Sequence, residues 1–98
     1  MAEIVWTEEA VEWLSEIKNY IAANNPGAAY RTAKGIYDKI QTLSEFPEIG
    51  HLYPSRPELN VRILLFDHYR IAYRFNGTIV EILGIFHGAL NLERLLKE

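Results

Sequence analysis

The chain has no cysteine, which excludes a disulfide framework, a thiolate metal site and a thiol nucleophile. Long apolar runs are missing as well. Its longest stretches, such as Ile63–Phe66 and Ile82–Phe86, fall far short of the ~20 residues that span a bilayer, so no membrane role is expected. Nor is there a surplus of positive charge: 10 Lys and Arg stand against 13 Asp and Glu, for a net charge of −3. A nonspecific nucleic-acid binder sets several phosphate-neutralising cations on one face, so only a local cluster of arginines could serve that purpose here. The three histidines, His51, His68 and His87, have no metal-ligand spacing. There is no Ser/His/Asp order, no Gly-rich phosphate loop and no HxxxH pair, and no cofactor is expected.

What the 98 residues do hold is apolar side chains, 49% of the total, enough for one core in a single domain over 1–98. A chain this short buries only roughly 60–65% of its unfolded surface, so its stability is modest. Charge is spread unevenly. Residues 1–25 set Glu3, Glu8, Glu9, Glu12 and Glu16 against Lys18, residues 26–60 balance, and residues 61–98 carry five basic groups against four acidic ones. A secretory signal needs a basic start and an apolar run; this acidic opening has neither and predicts a cytoplasmic protein.

Ala2–Trp6 is short, apolar and β-branched and reads as a strand. Thr7 is placed to cap a helix, with Glu8 and Glu9 in the first turn where the helix dipole favours negative charge. Val11, Leu14, Ile17 and Ile21 continue as an apolar stripe that stops at Asn24 and Asn25. Asn25-Pro26 opens a second helix, with Ala33, Ile36, Tyr37, Ile40 and Leu43 on its stripe and an end near Phe46-Pro47. So short a connection makes the pair an antiparallel hairpin. Residues 47–60 hold Pro47, Gly50, Pro54 and Pro57 and predict an irregular loop. Val61–Phe66, Tyr69–Phe75 and Thr78–Phe86 follow as strands, turning at Asp67-His68 and at Asn76-Gly77, a pair suited to a two-residue hairpin. Leu92, Leu95 and Leu96 sit at helical spacing in the tail. The expected fold is α+β, β-α-α-β-β-β, with the helical hairpin packed on an antiparallel sheet and a short C-terminal helix.

A two-residue loop at Asn76-Gly77 would set Phe75 opposite Thr78 and fix the faces of both strands. Tyr69, Ile71, Tyr73 and Phe75 then share the core face with Val80, Ile82 and Phe86. The other face carries Arg70, Ala72 and Arg74 beside Ile79, Glu81, Leu83, Ile85 and His87. Arg74, Glu81 and Arg70 could form a cross-strand charge ladder worth a few tenths of a kcal/mol per pair. Leu83 and Ile85 make the Arg70 end too apolar for plain solvent surface, so a partner chain is expected to cover it. The face of Arg62 hangs on the length of the Asp67-His68 turn.

The ordered set Phe46-Pro47-Glu48-Ile49-Gly50, Val61-Arg62-Ile63, Tyr69-Arg70-Ile71-Ala72-Tyr73 and Ile82-Leu83-Gly84-Ile85-Phe86-His87-Gly88 resembles the RelE/ParE toxins over nearly the whole chain. The resemblance implies a toxin of a type II toxin–antitoxin pair, neutralised by a cognate antitoxin, with Arg62, Arg74, Glu81, Leu83, Ile85, Asn91, Leu92 and Leu95 meeting either its target or that antitoxin. The Pro-Glu-Ile-Gly loop and the full-length hairpin look closer to ParE-like members, which poison DNA gyrase. The alternative is a RelE-like enzyme that cuts mRNA in the ribosome, for which Arg70, His87 and Glu58 match the phosphate-binding and proton-moving set. Against the RelE-like reading stand Val61, Ile63 and Leu65 where lysines would be expected and Gly88 where a tyrosine would follow; against the ParE-like one stands Ala89-Leu90 where arginines would. A toxin fold kept as a binding module without activity is the third possibility.

Overall fold

Thr7 begins the fold by doing two things at once. Its hydroxyl oxygen accepts the Ala10 N–H at 3.1 Å and caps helix α1 (Glu8–Ala22), and the same hydroxyl donates to the Ile82 carbonyl at 2.7 Å. The helix start is thereby fastened to the sheet. Asn25 caps α2 (Pro26–Gln41) through its side chain, with Pro26 at the first position. A single 3₁₀ turn, Thr42–Ser44, prolongs α2 towards the expected stop at Phe46-Pro47. The structure, a computed structural model, describes residues 1–87; the expected C-terminal helix, with Asn91, Leu92 and Leu95, lies outside the described residues.

Five strands form one mixed sheet: β1 (Glu3–Trp6), β2 (His51–Leu52), β3 (Arg62–Phe66), β4 (Tyr69–Phe75) and β5 (Ile79–His87), in the order β1-β5-β4-β3-β2. The last three make the antiparallel meander that the turn residues predict. β1 joins β5 in parallel, so the sheet is mixed rather than wholly antiparallel. β2 is a two-residue edge inside the segment expected to be all loop.

The helices cover one face. Ala10, Ile36, Ile40 and Leu43 pack there on Leu64, Ile71, Tyr73, Val80, Ile82 and Ile85. A smaller cluster of Val61, Ile63, Ala72 and Phe86 occupies the second face under Tyr53, Leu59 and Leu83. Trp13 reaches both, meeting the Phe86 ring edge-on at 5.0 Å.

Two corrections concern register. The β4–β5 turn closes one residue pair further out: Asn76 N–H donates to Ile79 O, Asn76 Oδ1 accepts from Thr78 and Ile79, and Gly77 takes φ +100. Phe75 therefore pairs with Val80, not with Thr78. The shift is even, so Arg74 and Glu81 keep their common face, and it brings them directly opposite each other where the expected register sets them diagonally. The second change is odd. Tyr73 pairs with Ile82 but Ala72 pairs with Gly84, so Leu83 is an extra residue, a β-bulge. Beyond it the faces are exchanged: Ile85 joins the helix-side core and Phe86 turns to the second face.

Candidate functional site

The bulge decides what the Arg70 end of the sheet looks like. Arg70 pairs with Phe86 and Leu65, on the second face. His87 pairs with Tyr69, on the helix side, with ring centroids 5.4 Å apart. Arg70 and His87 thus do not share a face, as an unbulged ladder would require. They meet instead at the end of the sheet, where Leu65, Asp67, His68, Tyr69, Arg70 and His87 line a hollow of about 340 Å³. His68 was not expected there. It sits in the tight β3–β4 turn, 6.1 Å from the His87 ring, with Asp67 Oδ1 3.5 Å from its Nε2. The signal for it is the turn itself: a two-residue turn between paired strands puts its second residue beside whatever ends the neighbouring strand.

The three strand arginines have different fates. Arg62 pairs with Tyr73 and lies on the helix side. Its guanidinium donates to the Glu48 and Gly50 carbonyls at 3.1 and 2.7 Å and stands 3.5 Å from the Glu48 carboxylate. It holds the 47–50 loop. Arg74 donates to the Leu59 carbonyl at 3.1 Å and lines a separate hollow with Val5, Asn60, Ile79 and Glu81. Arg70, half-buried, has no hydrogen bond or ion pair among the described residues. An arginine left without an acceptor retains all five donors for an incoming anion.

Glu58 is not part of this site. It lies in the 3₁₀ turn Pro57–Leu59, next to the strand end that carries Arg74, about 13 Å along β4 from Arg70 at the ordinary strand rise. Arg56 Nε donates to its carboxylate at 2.6 Å, and that hydrogen bond holds the carboxyl below the usual range. A carboxylate so stabilised is a weak proton acceptor. Burial, with help from Asp67, pushes the Tyr69 hydroxyl up, so at the rim Tyr69 is a neutral donor.

Of the residues expected to meet a partner, Leu83 is half-buried on the second face, and Ile85 is fully buried beneath the helices. Ile85 is therefore corrected from the exposed strip to the core, because the bulge turned it inward. Among the described residues, no three His, Cys, Asp or Glu side chains converge as a metal site requires, and no helix is long and apolar enough to cross a membrane.

Comparison with known proteins adds to this geometry. The family model for the ParE toxin of the type II toxin–antitoxin system parDE matches residues 4–92. Toxin RelE2 of Caulobacter vibrioides is 33% identical over 89 residues, covering 91% of this chain and 98% of that protein. Among solved structures, the chromosomal ParDE TA system from P. aeruginosa superposes with a TM-score of 0.76 at 23% identity, covering 89% of this chain and 96% of that one. A chain of the toxin–antitoxin complex RelBE2 from Mycobacterium tuberculosis gives 0.57 at 26% identity over 89% and 98%.

Proposed function

The chain belongs to the ParE toxin family of type II toxin–antitoxin systems, and on that premise we propose that it inhibits DNA gyrase in the cytoplasm and is held in check by a cognate antitoxin. The observation that carries this reading is the separation of Glu58 from Arg70 and His87. A phosphodiester-cleaving site gathers its acid, base and phosphate-holding cation within reach of one substrate. Here the carboxylate stands at one end of the sheet, tied to Arg56, and Arg62 is spent on the 47–50 loop. Of the strand arginines, only Arg70 is unpaired among the described residues, in a hollow of a chain with net charge −3. That suits an acidic group on a protein surface better than an RNA backbone, which calls for several cations.

One observation favours a second reading. His68, His87 and Arg70 line the same hollow, and imidazoles 6.1 Å apart can flank a phosphate. One would take the 2′-hydroxyl proton as that oxygen attacks phosphorus; the other would protonate the departing 5′-oxygen, leaving a 2′,3′-cyclic phosphate, with Arg70 on the non-bridging oxygens.

Expression without the antitoxin separates the readings. Gyrase trapped on DNA and arrested replication, with mRNA intact, is the expected outcome. Codon-phased cuts in translated mRNA would replace it with the endoribonuclease. Neither effect at high expression would leave a toxin fold that only binds its partner.

A further inference from the structure

Phe46 and Ile49, in the Phe46-Pro47-Glu48-Ile49-Gly50 segment, belong to neither core cluster and do not line the Arg70 hollow. Two sheet strands nevertheless clamp that segment. Tyr73 of β4 donates to the Pro47 carbonyl and accepts the Gly50 N–H, while Arg62 of β3 donates to the Glu48 and Gly50 carbonyls. The Ile49 N–H closes the turn on the Phe46 carbonyl at 3.1 Å. Gly50 lies so close to the sheet that a Cβ would stand 2.8 Å from the Tyr73 hydroxyl oxygen and 2.9 Å from the Ile63 carbonyl. All the groups so bonded in the loop are backbone, which any side chains at 46 and 49 would supply. Those side chains are instead large and apolar and face water: Phe46 is 57% exposed, Ile49 56% and Leu52 of β2 41%. Apolar side chains scattered singly over a surface are ordinary. Three on one short clamped loop are placed to enter another surface, and a loop already fixed in its bound shape loses little entropy on docking.

The charges beside the loop select the partner. Glu45 and Glu48 flank Phe46 and Ile49, and both are exposed. The Glu48 carboxylate stands 3.5 Å from Arg62, yet its side chain remains 71% exposed. Two copies meeting here about a twofold axis would set these carboxylates against each other. A nucleic acid would bring phosphates to them. β2, two residues long, is too short an edge to template an added strand, which leaves side-chain docking. The chemistry that fits is a protein with an apolar pocket rimmed by cations. An enzyme that handles DNA carries cationic surface because it must neutralise phosphates.

We propose that Phe46 and Ile49 anchor this chain on its protein target, seated in an apolar pocket of DNA gyrase whose basic rim meets Glu45 and Glu48. The inference rests on the gyrase reading. It adds a contact surface held by Arg62 and Tyr73, apart from the hollow that Arg70 lines at the other end of β4.

The test titrates purified gyrase holoenzyme with the purified full-length chain at low and high salt. Phe46→Ser/Ile49→Ser should weaken binding by about tenfold or more at both salts. Glu45→Gln/Glu48→Gln should weaken it about threefold at low salt, a loss that fades as salt rises. Both variants should still bind the purified product of the open reading frame immediately upstream as the wild type does. A photocrosslinking phenylalanine analogue in place of Ile49 should join the chain to a gyrase subunit, a readout that does not depend on the stability of the serine variant. If the wild-type chain binds gyrase but the serine variant binds as well and the analogue joins no subunit, the loop assignment is overturned while the gyrase reading stands. If the glutamine variant matches the wild type at low salt, the basic rim is overturned. Failure of the wild-type chain to bind gyrase overturns the gyrase reading and this inference with it. Serine substitutions that abolish binding of the upstream product and spare gyrase make the antitoxin the occupant. A chain that self-associates until Phe46 and Ile49 are replaced makes it a second copy. Either result overturns the inference.

Discussion

Tyr69 stands directly across the β4–β5 ladder from His87, ring against ring at 5.4 Å, while Arg70, the next residue along β4, pairs with Phe86 on the opposite face. The extra residue Leu83 creates this arrangement. Without it Phe86 would be packed under the helices and His87 would lie beside Arg70. One inserted residue thus gathers two histidines, a tyrosine and an arginine at one end of the sheet instead of lining them along one face.

Gly84 follows the bulge and makes room for a ring. A Cβ there would stand 2.5 and 2.7 Å from Cζ and Cε2 of Phe86, whose ring is buried and braced edge-on by Trp13. A buried, braced ring gives way only by repacking, so Gly84→Ala should cost about 1–3 kcal/mol, as other overpacked cores do. Chemical denaturation should show a lower midpoint with the same slope. An unchanged midpoint would mean that the ring swings clear.

Tyr73 should prove the costliest hydroxyl to lose. Buried among the core residues, it donates to the Pro47 carbonyl at 2.8 Å and accepts the Gly50 N–H at 3.0 Å. It therefore fastens the 47–50 loop that Arg62 also holds. Tyr73→Phe leaves both backbone groups without their partner, at about 1–3 kcal/mol. Each ~1 kcal/mol lowers the melting temperature of a domain this size by roughly 4–8 °C. Calorimetry on the variant measures the loss; a shift under a few degrees would mean that water replaces the hydroxyl.

The same residue sets an alkaline limit. Burial pushes the Tyr73 hydroxyl up, outweighing the Gly50 hydrogen bond and the charge of Arg62. Since the folded value lies above the unfolded one of about 10, its contribution is complete below that pH and is lost as pH rises through the folded value. Wild-type stability should fall above about pH 10, and Tyr73→Phe should fall less steeply over that range. Parallel curves for the two proteins would remove Tyr73 from the account.

Much of this was legible in the sequence because local chemistry specified it. Thr7 and Asn25 are side-chain caps, Pro26 is tolerated only at a helix start, and the apolar stripes on both helices have one periodicity. The turn at Asp67-His68 is legible as a turn, while the β3–β4 register, and with it the face of Arg62, follows from its two-residue length in the structure. What the sequence could not disclose was non-local. The parallel seam between β1 and β5 joins segments 76 residues apart. A bulge leaves no composition signal, and a period of two carries one misplaced residue through every later position. Hence an unbroken alternation places Ile85, Phe86 and His87 on the wrong faces, while Arg74 and Glu81, before the bulge, fall on the right one. Arg62 reads as a binding candidate from the Val61-Arg62-Ile63 motif, and its bonds to the carbonyls of the 47–50 loop appear only in three dimensions.

The sharpest division between the two functional readings lies at three side chains. Arg70→Ala removes a guanidinium that has no partner in the described structure, so its effect on stability should stay within ~1 kcal/mol, the range of an exposed charge. If Arg70 meets the target, truncation should instead cost ~2–5 kcal/mol of binding energy and abolish growth arrest. His68→Ala and His87→Ala then discriminate. Under gyrase inhibition they only reshape the rim, and toxicity should persist in each. Under RNA cleavage they remove the base and the acid, and each loss should lower the rate by roughly 10²–10⁴-fold. Glu58→Gln should be silent in both readings, since Arg56 holds that carboxylate at the far end of the sheet. Growth curves of the four variants beside the wild type, with melting curves to show that each is folded, decide the matter. An Arg70→Ala protein that folds and remains fully toxic would move the site away from this end of the sheet. One that fails to fold would make Arg70 a structural strut. Toxicity retained by both histidine variants but lost with Arg70 is the result expected of a protein whose target is another protein.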